Sequence, residues 1–316
     1  MPLKFSLFLP TGFGQDLAGF ADPRQAYDVL VELVRTAEES GYEAVWLPDH
    51  FQTVPPSQAY LFESWSLLAA MAGYTDRIRI GQLVSGNGYR NPALQAKIAS
   101  TVDVLSQGRL TFGIGAGWYE RDYEAFGYEF LPAPERLRQL REAVQVIQSL
   151  WTNDVTDFDG KYYRLVQAVN QPRGVQQPRI PLMLAGGGEK VTLKLAAEYA
   201  DLCNVMVSPA EAERKFSVLR AHCEKAGRPY DEITRTVTTH CLITETDEEV
   251  QAALNPGMGL FYPGDFESYL LYGTVDTVRE RIAAYEAAGV QELIVGFHQV
   301  MDPEAIRRFA KEFLDY

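Results

Sequence analysis

Eight short apolar runs recur along the chain, most of them separated by helix-length segments, and this alternation constrains the fold more than any single motif. The runs cover residues 4–9, 43–47, 77–84, 109–114, 180–185, 201–206, 235–243 and 291–297. A strand followed by a helix-length connection returns to pair in parallel through a right-handed crossover. Eight such units predict an α/β fold, a closed (β/α)8 TIM barrel, over an open doubly wound sheet. The G-x-G-x-x-G turn of the doubly wound dinucleotide folds is absent after the first run. Helix starts fall where the barrel needs them. Asp22-Pro23 and Pro92 open two helices, and Ser208/Glu211 and Thr246/Glu249 are capping-box pairs. A run of 316 residues with 47% hydrophobic composition buries a large core, and residues 1–316 read as one barrel domain.

The stretch Arg109–Trp118 marks the working end. Its β-branched and aromatic half stops at Ile114, and Gly115, Ala116 and Gly117 follow. At the carboxyl face of a parallel barrel, small residues let a ligand approach the backbone; the same glycines also suit a tight turn. Residues 117–133, 152–179 and 255–273 exceed a minimal barrel and are rich in aromatic, glycine and proline residues, as lids and subunit contacts are.

The formal charge is −13, without long like-charge blocks, which argues against nucleic acid as a partner. No apolar run reaches the roughly 20 residues of a membrane span, and MPLKFSLFLP is too short a run for a signal peptide. A cytoplasmic protein is expected. Cys203, Cys223 and Cys241 lack CxxC spacing and the four histidines make no HExxH, so neither a disulfide framework nor a metal site is expected.

The predicted strand ends collect Thr11 and Gly12; Asp49, His50 and Phe51; Ser85, Asn87, Tyr89, Arg90 and Asn91; Gly115, Gly117 and Trp118; Gly186, Gly187 and Gly188; and His298. Backbone, aromatic rings and one or two imidazoles suit a flat, polar-edged cofactor better than a metal cage. The Gly186–Gly188 run, read as opening a helix near Glu189, offers backbone N–H groups to a phosphate; its plainer reading is a strand-to-helix turn.

Several segments together resemble the bacterial-luciferase-like superfamily, and within it the coenzyme F-420-dependent oxidoreductase branch. They are Trp46-Leu47-Pro48-Asp49-His50-Phe51, Gly88-Tyr89-Arg90-Asn91-Pro92, Ser106-Gln107-Gly108-Arg109, Gly113 to Trp118 with Phe126-Gly127, Phe158 to Tyr163, and Ala185 to Gly188. The resemblance spans nearly the whole chain in order. It implies a flavin or deazaflavin at the carboxyl ends of the strands. His50, with Asp49, becomes the catalytic candidate for proton transfer. Gln82, Leu83, Ser85, Asn87, Gly115, Ala116, Gly117 and Gly186–Gly188 become cofactor-binding candidates, and Thr11, Trp118 and His298 line the substrate pocket. The family's non-prolyl cis peptide would fall near Gln82-Leu83. Arg90, Arg121, Lys161 and Lys190 are the bases available to an acidic cofactor tail.

The chain departs from the family's sugar-phosphate dehydrogenases, which carry a glutamate where Trp118 stands and a tryptophan where Val54 stands. An aromatic wall at 118 favours an apolar or planar substrate. The resemblance thus implies hydride transfer between F-420 and a small organic substrate, in a homodimer or larger homo-oligomer. The alternatives are an FMN-dependent monooxygenase or flavin reductase on the same scaffold, and a flavin-binding protein without turnover.

Overall fold

The computed structural model describes residues 2–254, 264–299 and 301–314. In chain order its elements are β1 (Lys4–Phe8), α1 (Pro23–Glu39), β2 (Ala44–Leu47), α2 (Ser64–Ala72), β3 (Arg79–Gln82), β4 (Ser85–Gly86), α3 (Pro92–Leu105) and β5 (Leu110–Gly115). Then come α4 (Glu120–Phe126), α5 (Ala133–Thr152), β6 (Thr156–Asp159), β7 (Arg164–Ala168), β8 (Leu182–Ala185), α6 (Thr192–Tyr199), β9 (Leu202–Val205) and α7 (Pro209–Ala226). The last are β10 (Thr234–Ile243), α8 (Asp247–Ala253), β11 (Leu271–Gly273), α9 (Val275–Ala287), β12 (Glu292–Phe297) and α10 (Pro303–Phe313).

Strands pair in the order β1-β2-β3-β5-β8-β9-β10-β12, and β12 returns to β1 in parallel register, so the eight-stranded (β/α)8 barrel is closed. Its strands coincide with the eight apolar runs to within about two residues at each end. The short β4 carries the path of β3 onward after a break and pairs with β5 through Ser85↔Ile114. A non-prolyl cis peptide joins Leu83 to Val84 at that break, one bond later than expected.

Local chemistry explains the helices. Asp22 accepts from the Arg24 N–H ahead of Pro23, Asn91 accepts from Ala93 ahead of Pro92, and Ser208 and Thr246 accept from the N–H three residues on. Each cap satisfies a donor that the first turn leaves unpaired. On α1, Leu30, Leu33, Val34 and Ala37 have no exposed surface, and burying such a leucine or valine stabilises by roughly 1.5–3 kcal/mol.

Two apolar layers result. One lies between strands and helices. The other fills the barrel lumen with Ala44, Trp46, Met183 and Ile294, against which Phe8, Leu83, Val84 and Leu202 pack. Trp46 is therefore core, and its indole N–H is held at 3.1 Å by Glu292, which also accepts from the Ser6 hydroxyl at 2.6 Å. Burial pushes the Glu292 carboxyl above its usual range.

Several elements differ from the sequence reading. The 117–133 segment contains α4, and 152–179 contains the β6–β7 hairpin. The 255–273 segment lies in part, 255–263, outside the described residues; its remainder ends in β11, which pairs in parallel with β10, and α9 follows it. Neither α9 nor β11 is foreseen from the pattern. The helix expected at Glu189 begins at Thr192 instead, so Gly186–Gly188 lead into a turn and not directly into a helix. Among the described residues no helix is long and apolar enough to cross a membrane, and no group of His, Cys, Asp or Glu could hold a metal.

Candidate active site

The carboxyl ends of the barrel strands place the candidate residues around one mouth. Directly after β2, His50 is buried, and its Nδ1 lies 2.7 Å from Asp122 Oδ2. Asp122 sits in the first turn of α4 with no exposed surface. The same oxygen accepts from the Tyr89 hydroxyl at 2.9 Å, and Oδ1 accepts from the Gln52 N–H at 3.2 Å. A carboxylate only accepts, so Nδ1 carries a proton, and in the neutral ring this tautomer leaves the lone pair on Nε2. Nε2 makes no hydrogen bond among the described residues. Burial, with Asp122 next to it, holds the Tyr89 hydroxyl far above its usual pKa, so it remains a donor.

Aromatic rings enclose this imidazole. Phe13, in the loop after β1, stacks on His50 with centroids 3.6 Å apart and planes 9° from parallel. Trp118 and Tyr119 present edges to it at 5.8 Å each. Trp118 remains 56% exposed at the rim. Val54, where the sugar-phosphate dehydrogenases carry tryptophan, is buried and donates its N–H to the Phe13 carbonyl at 2.7 Å, fixing the ring-bearing loop.

Asp49 does not share this pair. Both its oxygens are taken by Arg90, at 2.6 and 3.0 Å, with the Ser85 hydroxyl and the Gly86 N–H completing the shell. Arg90 also reaches Glu63 at 2.6 Å, and Glu63 caps α2 through the Ser66 N–H. Desolvation opposes the Arg90 charge, but Asp49 and Glu63 outweigh it and raise its pKa. Arg90 thus ties both ends of the β2–α2 loop to the segment before α3, and its guanidinium is committed there. Of the other bases named for an acidic tail, Lys161 is paired with Glu135 at 3.6 Å, while Arg121 and Lys190 are exposed.

The remaining candidates divide between floor and wall. Leu83 and Val84 are partly exposed in the upper lumen beside Phe8, making an apolar floor. A Cβ on Gly113 would fall on the Gln82 carbonyl, and one on Gly115 would sit 3.0 Å from Val84, so these glycines admit the β3–β4 break. Gly117, at φ +80°, and Gly88 make room for the Tyr123 ring of α4, which is also what seats Asp122. Ala116 is partly exposed beside them. Ser85 is consumed by Asp49 and Gln95, and Gln82 turns its amide to Ser64 of α2. Three buried acceptors among these candidates stand unpaired: Thr11 Oγ1, Gln82 Oε1, and Asn87 Oδ1, whose amide nitrogen donates to the Tyr163 hydroxyl at 3.2 Å. A buried polar atom without a partner costs about 1–3 kcal/mol, and a ligand's donor offsets it.

At the opposite rim, Gly186 donates to the Asn204 carbonyl at 3.0 Å. Lys215, reaching over from α7, donates to the Gly187 carbonyl at 2.9 Å and lies 3.6 Å from Glu189. The ammonium is thus delivered to the glycine turn by a residue 28 positions away, one the sequence reading missed. His298 follows β12 and lies 3.1 Å from the Tyr272 hydroxyl. Desolvation lowers its pKa.

The sequence reading also missed Asp122, Phe13 and Tyr119 as partners of His50, and Tyr89 as a donor to Asp122. Asp122 lies 72 positions from His50, and no spacing rule links them. The only signal was the Gly117-Trp118 turn that starts α4.

Comparison with known proteins agrees with the geometry. The family model described as luciferase-like monooxygenase matches residues 3–265. The chain is similar to the F420-dependent glucose-6-phosphate dehydrogenase of Nocardia farcinica, with 30% identity covering 97% of this chain and 89% of that one. It is also similar to the FMNH(2)-dependent dimethylsulfone monooxygenase of Pseudomonas putida, at 25% identity over 94% of this chain and 90% of that one. Among solved structures, an F420-dependent secondary alcohol dehydrogenase in complex with an F420-acetone adduct shares the fold, with TM-score 0.84 over 99% of each chain and 20% identity.

Proposed function

The chain belongs to the luciferase-like monooxygenase family, and from that membership we propose that it is an oxidoreductase moving a hydride between coenzyme F-420 and a small organic substrate. The observation that carries this reading is the His50–Asp122 pair above an apolar floor, at a mouth that also holds unpaired buried acceptors. The residues fit a planar ring with polar edges. Phe8, Leu83 and Val84 give it a flat bed, and Thr11 Oγ1 and Asn87 Oδ1 can accept from its N–H or O–H groups. Gly186–Gly188 with the Lys215 ammonium fit a phosphate. When bound, F-420 supplies the two-electron hydride chemistry.

The chain's own part is positioning and proton transfer. Asp122 and Tyr89 lock the His50 ring so that Nε2 accepts or returns the proton of a substrate hydroxyl. Phe13, Trp118 and Tyr119 exclude water from that side and favour a substrate with an apolar or planar body. Asp49, buried under Arg90, acts as a strut of the mouth.

A second reading, an FMN-dependent monooxygenase or flavin reductase, draws support from the similarity to the Pseudomonas putida enzyme and from the aromatic enclosure of the site. Flavin binding without turnover leaves the oriented His50 imidazole unexplained. Titrating apoprotein with F-420 and, separately, FMN by fluorescence separates these readings. Micromolar F-420 binding with negligible FMN affinity is the expected result; the reverse order rejects the deazaflavin assignment. We further propose a cytoplasmic homodimer or larger homo-oligomer. The three free buried thiols suit a reducing compartment, and Leu94 and Leu105, each about half exposed on α3, suit a subunit contact.

A further inference from the structure

The amino end of the barrel, opposite the mouth, holds charges that the mouth does not use. A cavity of about 260 Å³ opens there, and Lys4, Glu43, Trp46, Arg79, Thr111 and Glu292 are among its walls. Lys4, Arg79 and Glu292 are the first residues of β1, β3 and β12, and register sets Lys4 beside Glu292. Glu292 is only 4% exposed. Its Oε1 accepts from the Ser6 hydroxyl and the Trp46 indole, both neutral donors, at 2.6 and 3.1 Å. Oε2, which keeps accessible surface, has no hydrogen bond among the described residues. Lys4, the cation on the neighbouring strand, pairs instead with Glu43 at 2.8 Å.

Arg79 lines the same cavity three strands away from Glu292. Its Nη2 donates to the Leu110 carbonyl, the Thr111 hydroxyl and the Gln176 side-chain oxygen at 3.1, 3.0 and 3.2 Å. Its Nε and Nη1 make no hydrogen bond and its guanidinium no ion pair among the described residues. Burial pushes the Glu292 carboxyl up and the Arg79 guanidinium down, so each charge is held at a cost. Buried charges are ordinarily paired. Here two opposite charges share one cavity without meeting.

We propose that this cavity binds a small zwitterion, an ammonium and a carboxylate on a short chain as in an amino acid, with its ammonium at Glu292 and its carboxylate at Arg79. The free Oε2 accepts from an ammonium, and the remaining N–H groups of Arg79 donate to a carboxylate. A simple cation leaves Arg79 unpaired, and a simple anion leaves Glu292 so. Lys4 and Arg79 balance Glu43 and Glu292 in formal charge, which suits a ligand that brings both signs and no net charge. The inference is independent of the cofactor reading, because it uses no residue of the mouth.

Glycine, β-alanine, methylamine and acetate are titrated calorimetrically into the full-chain protein without cofactor, and the indole 15N–H signals are followed in parallel. The chain has four tryptophans, so replacing each of the other three by phenylalanine assigns Trp46, the donor to Glu292. Glycine or β-alanine should bind saturably at millimolar concentration and move the Trp46 signal. Methylamine and acetate should bind at least about tenfold more weakly, each lacking one charged partner. Glu292→Gln retains an acceptor for Ser6 and Trp46 and should weaken the zwitterion by about tenfold or more, as loss of a charge-assisted hydrogen bond does. Should that variant fail to melt cooperatively, the comparison of zwitterions with methylamine and acetate on the native chain decides. Absence of saturable binding by either zwitterion, equal binding of methylamine or acetate, or binding that a folded Glu292→Gln variant leaves intact overturns the proposal.

Discussion

Replacing Asp122 by asparagine tests the site at its most sensitive point. The carboxylate is wholly buried and accepts three hydrogen bonds, from His50 Nδ1 at 2.7 Å, Tyr89 Oη at 2.9 Å and Gln52 N at 3.2 Å. Asparagine keeps the volume. Its carbonyl oxygen can still accept from Gln52, but its NH2 now points at His50 and Tyr89, where acceptors are needed. The imidazole then has to move its proton to Nε2 and take the amide N–H on Nδ1. The ring atom aimed at the substrate becomes a donor, and base catalysis through it stops. General acid–base catalysis contributes about 10²- to 10⁴-fold, so hydride turnover should fall by about that range. Loss of one charge-assisted hydrogen bond should lower stability by about 1.5–3 kcal/mol. F-420 affinity should hardly change, because Asp122 is placed behind the imidazole. The assay follows the F-420 absorbance band in turnover, fluorescence for the cofactor, and the His50 imidazole 15N shifts for the tautomer. A variant with the wild-type tautomer and undiminished turnover would refute the reasoning. Equal losses in turnover and cofactor affinity would instead make Asp122 a support for the cofactor pocket.

His50→Ala should reduce turnover far more than cofactor binding, read as kcat against the F-420 dissociation constant; matched losses would mean that the ring serves only as packing. At Gly187 a Cβ would sit 3.1 Å from Lys215 Nζ, so Gly187→Leu should displace the ammonium and weaken F-420 more than its dephosphorylated form. If both forms lose affinity alike by fluorescence titration, the glycine turn is not the phosphate site. Arg90→Met strands the fully buried Asp49 carboxylate and should lower unfolding stability by about 3–5 kcal/mol in urea melts. A change below about 1 kcal/mol would dismiss the strut role. Burial pushes the Glu63 carboxyl up, but its Ser66 and Arg90 contacts more than offset that and hold it below the usual carboxylate range. The stability it contributes is therefore complete above the ordinary carboxylate pKa and is lost as pH falls through the lower folded value. Glu63→Gln should flatten that part of the acid limb of a stability profile, and an unchanged limb would count against it.

What was legible in advance follows from the range over which each signal acts. Strand runs, helix caps and the barrel they imply are set by neighbours within a few residues, so they can be read directly. Asp22-Pro23, Asn91-Pro92 and Ser208 start helices where the pattern places them. The short β11 and α9 were less visible, since α9 buries few residues and follows the segment whose first nine positions lie outside the described residues. His50 was found because it follows a strand. Its partner Asp122 is not legible, because adjacency, the one guide that a sequence offers, points to Asp49.

The chain's local pattern by itself determined a parallel eight-stranded barrel, the end of it that works, and the residue types gathered there. Only closure of the barrel decided which of those residues touch. It gave Asp49 to Arg90 and Asp122 to His50, brought Lys215 onto the glycine turn, and laid His240 over Gly296. The physical reason is that hydrophobic periodicity is a property of consecutive residues, whereas a hydrogen bond at 2.7 Å between positions 72 apart exists only after every intervening element has packed.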